Sequence, residues 1–213
     1  MIDRPATPAT LRVALFIGLA GGLAACAPTG DAVRPGGGHR ASASAPAFQA
    51  TGDTFLQITA NGAGPIGPAT PFQSKAILAQ LPGFTTGHVT IGLESSTPDA
   101  LVLFKDAYGG RIQVLHILGS GDRIGQIHGV THHVVGPAGE RPGMTLREAG
   151  TDPSTCRIGS NLWLGMAICR SRGAPNVTLT YSFQGEAAMS TSLPRREILE
   201  TGILQRIIWT PPG

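Results

Sequence analysis

Three histidines lie close together, His128, His132 and His133, with His116 a short distance upstream. Imidazole is the commonest metal ligand and the natural acid–base group near neutral pH. On a strand, side chains alternate between faces, so His128 and His132 share a face while His133 points away. The cluster therefore supplies two ligands at most, and His116 becomes a third only from across a hairpin. The plainer reading is a set of exposed histidines on a polar strand face. Nucleophilic catalysis finds less support. No Gly-x-Ser-x-Gly elbow occurs, and Ser120 lies in the turn Gly119-Ser120-Gly121-Asp122. The acids Asp99, Asp106, Asp122, Glu140, Glu148 and Asp152 are scattered rather than paired for glycoside hydrolysis. No phosphate-binding glycine loop of the P-loop type is present. The expectation is a non-enzymatic protein with no metal site and no cofactor. Gly64-Pro65-Ile66-Gly67 and Gly136-Pro137-Ala138-Gly139 read as backbone devices, and before a helix either would also make an anion-binding nest.

The cysteines carry covalent chemistry. Leu23-Ala24-Ala25-Cys26 ends an apolar run that begins at Leu11, behind Arg4 and Arg12. The run is short for a membrane span, which needs roughly 20 apolar residues, and has the proportions of a signal h-region. It resembles a bacterial lipoprotein signal. The resemblance implies cleavage after residues 1–25, a diacylglycerol on the Cys26 sulfur and acylation of the new amino terminus. Ala27 at the following position implies sorting to the outer membrane, with the domain facing the periplasm. The competing reading is a secreted protein with a coincidental cysteine. Residues 26–50 hold little besides Ala, Gly, Pro, Ser and Thr, too few apolar groups to offset the entropy of ordering, and read as a tether. In an oxidising compartment the remaining Cys156 and Cys169 suit a disulfide closing a hairpin-like loop, against two buried thiols or a metal site. Trp163, beside Leu162 and inside that loop, is the candidate contact for a partner.

The elements that must position these groups occupy residues 51–213, read as one domain. Sixteen Lys and Arg against thirteen Asp and Glu leave a net charge of +3, without the basic stripe that nucleic acid requires. Alternation predicts strands over residues 88–94 and 176–183, with further strands over 55–60, 101–105, 112–118, 164–170 and 204–209. A helix is predicted over 71–81, with Thr70 as N-cap, Pro71 at the first position, and Phe72, Ala76, Ile77 and Leu81 on its buried face. Thr145-Leu146-Arg147-Glu148 has the capping-box pattern and predicts a second, shorter helix. The result is an α+β fold, a single domain built on antiparallel sheet with one or two short helices. Residues 58–81 and 130–149 each run strand, Gly-Pro turn, helix, so two strand-turn-helix repeats are one explanation and recurrent turn chemistry the other.

Several of these motifs together resemble the RpoE-regulated lipoprotein family of enterobacteria. They are Ile58-Thr59, Gly62-Ala63-Gly64-Pro65-Ile66, Thr70-Pro71-Phe72, Asp122-Arg123-Ile124-Gly125, the pair Cys156 and Cys169, residues 176–183, Leu204, Ile207-Ile208-Trp209 and Pro211. The resemblance implies an α+β periplasmic domain on an outer-membrane lipid anchor, induced by envelope stress, and it implies no reaction. Expected partners are the membrane through the anchor and an envelope protein or peptidoglycan. A small-ligand or glycan-binding domain is the first alternative, and a metal-dependent hydrolase using the His128 and His132 region the second.

Overall fold

The structure, a computed structural model, describes residues 53–213. The leader, Cys26, the tether over 26–50 and residues 51–52 lie outside the described residues. In chain order the elements are β1 (Leu56–Thr59), β2 (Gly62–Ala63), α1 (Ser74–Gln80), β3 (Thr85–Thr90), β4 (Asp99–Ala107), β5 (Gly110–Ser120), β6 (Arg123–Gly129), β7 (Val134–Val135), β8 (Arg157–Ile158), β9 (Ala167–Ser171), β10 (Ala174–Ser182), α2 (Arg196–Leu199) and β11 (Ile203–Trp209). A small sheet has the order β2-β1-β7, and an eight-stranded antiparallel sheet the order β3-β4-β5-β6-β11-β10-β9-β8. The chain is thus α+β and sheet-dominated.

The large sheet is two four-strand meanders joined at β6 and β11, and the inner strands of the two meanders pair in the same register. β5 and β6 pair His116 with His128, Ile117 with Ile127 and Leu118 with Gln126; a bulge follows, and Gly119 meets Ile124. β10 and β11 pair Thr178 with Ile208, Leu179 with Ile207 and Thr180 with Arg206; a bulge follows, and Tyr181 meets Leu204. At the seam Ile127 faces Trp209, His128 faces Ile208 and Gly129 faces Ile207. Exchanging the halves maps this seam onto itself, with the pair His128–Ile208 on the two-fold axis. Pro71 bridges Arg123 at the start of β6, as Thr145 bridges Ile203 at the start of β11, and the leading strands β1 and β7 pair in parallel.

The repeat therefore extends beyond strand-turn-helix to the whole half, but the helix itself is not repeated. The Thr145 capping box forms, with Glu148 Oε2 accepting from Thr145 N at 2.8 Å and Thr145 Oγ1 accepting from Glu148 N at 3.1 Å. It encloses one turn, closed by Ala149 N donating to Thr145 O at 2.9 Å, and no α-helix follows. In the first half the predicted helix begins late. Phe72 N donates to Asp122 O and Ile124 N to Thr70 O, which holds residues 70–72 extended against β6. Gln73 is the N-cap, and Thr70 Oγ1 instead accepts from Gly67 N at 3.1 Å, bracing the Gly-Pro turn. Within α1 only Ile77 is fully buried. The strand predicted from residue 164 begins at Ala167, because Gly165 has φ +76° and a Cβ there would overlap Ala188 O.

One face of the large sheet packs Leu101, Leu103, Leu115, Ile117, Ile127, Leu179, Tyr181, Ile207 and Trp209 against Ile58, Ile66, Ile77 and Leu146. Trp209 is fully buried and donates through Nε1 to Ala60 O at 2.9 Å. The alternate residues occupy the other face, and many of these are buried as well: Ala100, Val102, Leu118, His116, His128, Thr180, Ile168 and Ile208. No second layer of secondary structure explains that burial; the sheet's own edges do. Eight flat strands at about 4.8 Å spacing would hold the edges roughly 34 Å apart. Here Glu94, just beyond edge strand β3, forms a bidentate pair with Arg157 of edge strand β8, at 2.7 and 2.6 Å. The sheet rolls until the segments following β3 and β8 meet across its second face.

Candidate functional site

Residues 91–97 and 159–165 follow equivalent strands of the two halves, and they meet over the axis. Leu162 N donates to Glu94 O at 3.3 Å, and Ser160 N and Oγ both donate to Glu94 Oε1. Gly92 O accepts from Trp163 Nε1 at 3.1 Å and from Arg206 Nη1 at 3.4 Å. Hydrogen bonds from Arg157, with lesser help from Ser160, hold the Glu94 carboxyl at about 2 against the opposing effect of burial, so it is ionised at all ordinary pH.

Beneath this cover lies a polar centre. His116 and His128 are cross-strand neighbours, Ile208 continues the row into β11, and Thr180 and Arg206 pair on the same face. His128 is fully buried and His116 nearly so. His116 Nε2 donates to Gln113 Oε1 at 2.9 Å and His128 Nε2 to Gln126 Oε1 at 3.2 Å. That arrangement leaves each Nδ1 as a lone pair, and neither Nδ1 has a hydrogen-bond partner; nor does Thr180 Oγ1. Burial, reinforced by the Arg206 charge, holds His116 down at about 4. The same causes, with His116 adding to them, hold His128 at about 3. Both rings are neutral at pH 7. Desolvation also lowers the Arg206 guanidinium from its ordinary value, and among the described residues its one hydrogen bond is the long one to Gly92. Buried polar groups are ordinarily satisfied, so three atoms without a partner among the described residues, beside a cation with no ion pair among them, mark this centre as special.

The histidine cluster read from the sequence separates. β6 ends at Gly129, so the alternation that would place His132 beside His128 stops before it. His132 is exposed, and His133 is buried. The His133 ring stacks on Phe55 and Tyr108 at centroid distances of 4.3 and 5.3 Å, and its Nδ1 donates to Asp53 O at 2.7 Å. The metal reading that combined His128 with His132 loses its geometry, and among the described residues no three His, Cys, Asp or Glu side chains converge on a metal position. His116 does reach His128 across the hairpin. The Gly136–Gly139 turn is already served by its own chain: buried Glu140 accepts from Ala138 N at 2.8 Å and from Ser171 Oγ at 2.6 Å. Of the other acids, Asp152 caps a short turn through Ser154 N at 2.9 Å, and Asp99 accepts from Thr90 at 2.7 Å.

Cys156 and Cys169 are joined as a disulfide. The ring it closes holds Trp163 half-buried, with its indole N–H bound to Gly92. The apolar exposure at this tip belongs instead to its neighbours, Leu162 at 58% and Leu164 at 43%. Arg206 and Thr180 were not among the residues singled out from sequence. The signal for Arg206 was present as a charge alternating with Leu204 and Ile208 in a core strand. Thr180 gave none, since threonine is ordinary in strands.

No family model matches the chain, and no curated protein matches it. The fold is similar to the crystal structure of the uncharacterized protein yfeY from Escherichia coli, with a TM-score of 0.54 and 18% identity over 72% of this chain and 99% of that chain. At that identity the likeness establishes the fold alone.

Proposed function

We propose that the chain is a lipid-anchored lipoprotein of the cell envelope, attached through Cys26 to the outer membrane, whose periplasmic domain binds an envelope protein without catalysing a reaction. Leu23-Ala24-Ala25-Cys26 carries the address, and a fold neighbour from Escherichia coli fits an enterobacterial type of protein. Induction by envelope stress belongs to the same proposal and rests on the sequence resemblance.

The observation that carries binding is the tip at residues 162–164. Two leucines are exposed on a segment fixed by a disulfide and by hydrogen bonds to Glu94 and Gly92. An apolar group held rigidly in water loses little entropy when a partner covers it. The tip carries no charge or sugar-binding amide besides Asn161, which fits an apolar recess on a protein better than peptidoglycan. The test places a photo-crosslinking residue at position 162 in the full-length, membrane-extracted lipoprotein. One discrete envelope protein should crosslink, and the purified pair should bind with an affinity that falls about tenfold or more in Leu162→Ser/Leu164→Ser. A double variant that binds equally well overturns the docking reading. Intact mass showing no acylation at Cys26 overturns the anchor. The alternative, a small-ligand domain, is favoured by the polar centre on the axis.

A further inference from the structure

We propose that the covered centre formed by His116, His128, Thr180 and Arg206 is a binding site for a small carboxylate that also carries amide N–H or hydroxyl donors, admitted when residues 91–97 and 159–165 part. The proposal shares residues 159–165 with the docking tip, but its ligand sits on the second face of the sheet and does not use the exposure of Leu162.

The fold does not call for these side chains. The two halves share one backbone pattern, so each position has an equivalent that reports what packing alone accepts. His128 is matched by Ile208, His116 by Thr178, Thr180 by Leu118 and Arg206 by Gln126. An aliphatic residue thus occupies the symmetric counterpart of the buried imidazole. Leaving a buried polar atom unpaired is unfavourable, and the first half carries two such imidazoles where the second half shows one could be avoided.

What the centre offers defines its ligand. Two imidazole Nδ1 lone pairs accept hydrogen bonds, the Thr180 hydroxyl donates or accepts, and Arg206 supplies a cation with free N–H donors. Arg206 has no carboxylate partner among the described residues, and Glu94, the acid on the cover, is committed to Arg157 and Ser160. A divalent cation is a poor fit, because the positive charge of Arg206 lies among the donors and no acid balances it. A carboxylate matches the guanidinium in charge and fork geometry, and donors on the same molecule satisfy the two rings. Ile91 and Leu93 pack on Ala100 and Leu118 at one side of the cover, while over the polar centre it is held by polar contacts at its tips. Gly92 O is the hinge point of access, since it binds both Arg206 below and Trp163 above.

The experiment uses the full chain and two probes, N-acetylalanine and its uncharged counterpart N-acetylalaninamide, followed by nitrogen–proton NMR of the histidine rings. N-acetylalanine should bind saturably and shift the Nδ1 resonances of His116 and His128. N-acetylalaninamide should bind about tenfold or more weakly, the loss expected for a charge-assisted hydrogen bond. Arg206→Gln, with its disulfide and circular dichroism intact, should bind both probes equally weakly. The proposal is overturned if the two probes bind alike, or if Arg206→Gln binds N-acetylalanine as the parent does. It is equally overturned if neither probe moves the Nδ1 resonances, which would leave the centre to bound water. The ring shifts are read on the unmodified chain, so a variant that fails to fold does not remove the test.

Discussion

Replacing His128 with isoleucine tests the polar centre through stability alone. Its ring titrates at about 3 in the fold, against an ordinary 6.5. The folded pKa is depressed below the unfolded one, so the unfolded chain binds the extra proton. Stability is therefore complete above pH 6.5 and falls as the pH drops toward the folded value. Between pH 7 and pH 5 the folded ring stays neutral while the unfolded ring takes up about one proton. At about 1.36 kcal/mol per pH unit, this single group removes about 2 kcal/mol over the interval, a sizeable share of a typical stability of roughly 5–15 kcal/mol. His116 acts in the same direction. In His128→Ile the pH-dependent loss should shrink by about 2 kcal/mol, with the His116 contribution remaining. At pH 7 the variant should match or exceed the parent, because an unpartnered buried Nδ1 is replaced by the residue found at the equivalent Ile208 position. Urea titrations of both proteins at pH 7 and pH 5 measure this directly. An unchanged difference between the two pH values would refute the claim that His128 is held neutral by burial.

Gly165 and Gly173 both have positive φ, at +76° and +79°, but only Gly165 meets backbone where a Cβ would go. Gly173→Ala should cost about 1 kcal/mol and Gly165→Ala clearly more; equal thermal midpoints for the two variants would contradict the packing at Ala188. Reducing the Cys156–Cys169 disulfide should lower stability by about 3 kcal/mol in the chain-entropy model, read as a drop in denaturant midpoint. Trp163 fluorescence should shift to the red in the same reduced sample as its indole leaves Gly92, and an unmoved spectrum would show that the ring does not fix the tip.

Much of the sheet could be read from alternation. Residues 112–118 and 204–209 fall within β5 and β11, and residues 176–183 overrun β10 by one, because away from the bulges each sends alternate residues into the main core. β6 was harder: Arg123-Ile124-Gly125-Gln126-Ile127-His128-Gly129 carries glycine at two positions and a bulge that breaks its period. The helix start at Thr70 and the second helix at Thr145 were misread for one reason. In both halves the chain makes a bridge to a distant strand at that point, and a tertiary contact of this kind has no local signature. The polar centre was half legible. His116 and His128 meet across a hairpin that sequence proximity suggests, whereas Thr180 and Arg206 arrive from the other half through the β6–β11 seam.

That seam also sets the order in which the molecule can be completed. β11 comes after the other strands of the large sheet in sequence, yet it lies in the middle of that sheet, between β6 and β10. Until residues 203–209 are available, each meander presents an open edge with unpaired backbone groups, and the large sheet has no joint between its two meanders. Closure of the sheet therefore waits until the chain is made through residue 209, a non-local event of the slow kind. Losing residues 207–209 would not trim an edge, as in most sheets; it would unzip the centre and leave two adhesive meanders exposed to one another and to neighbouring chains.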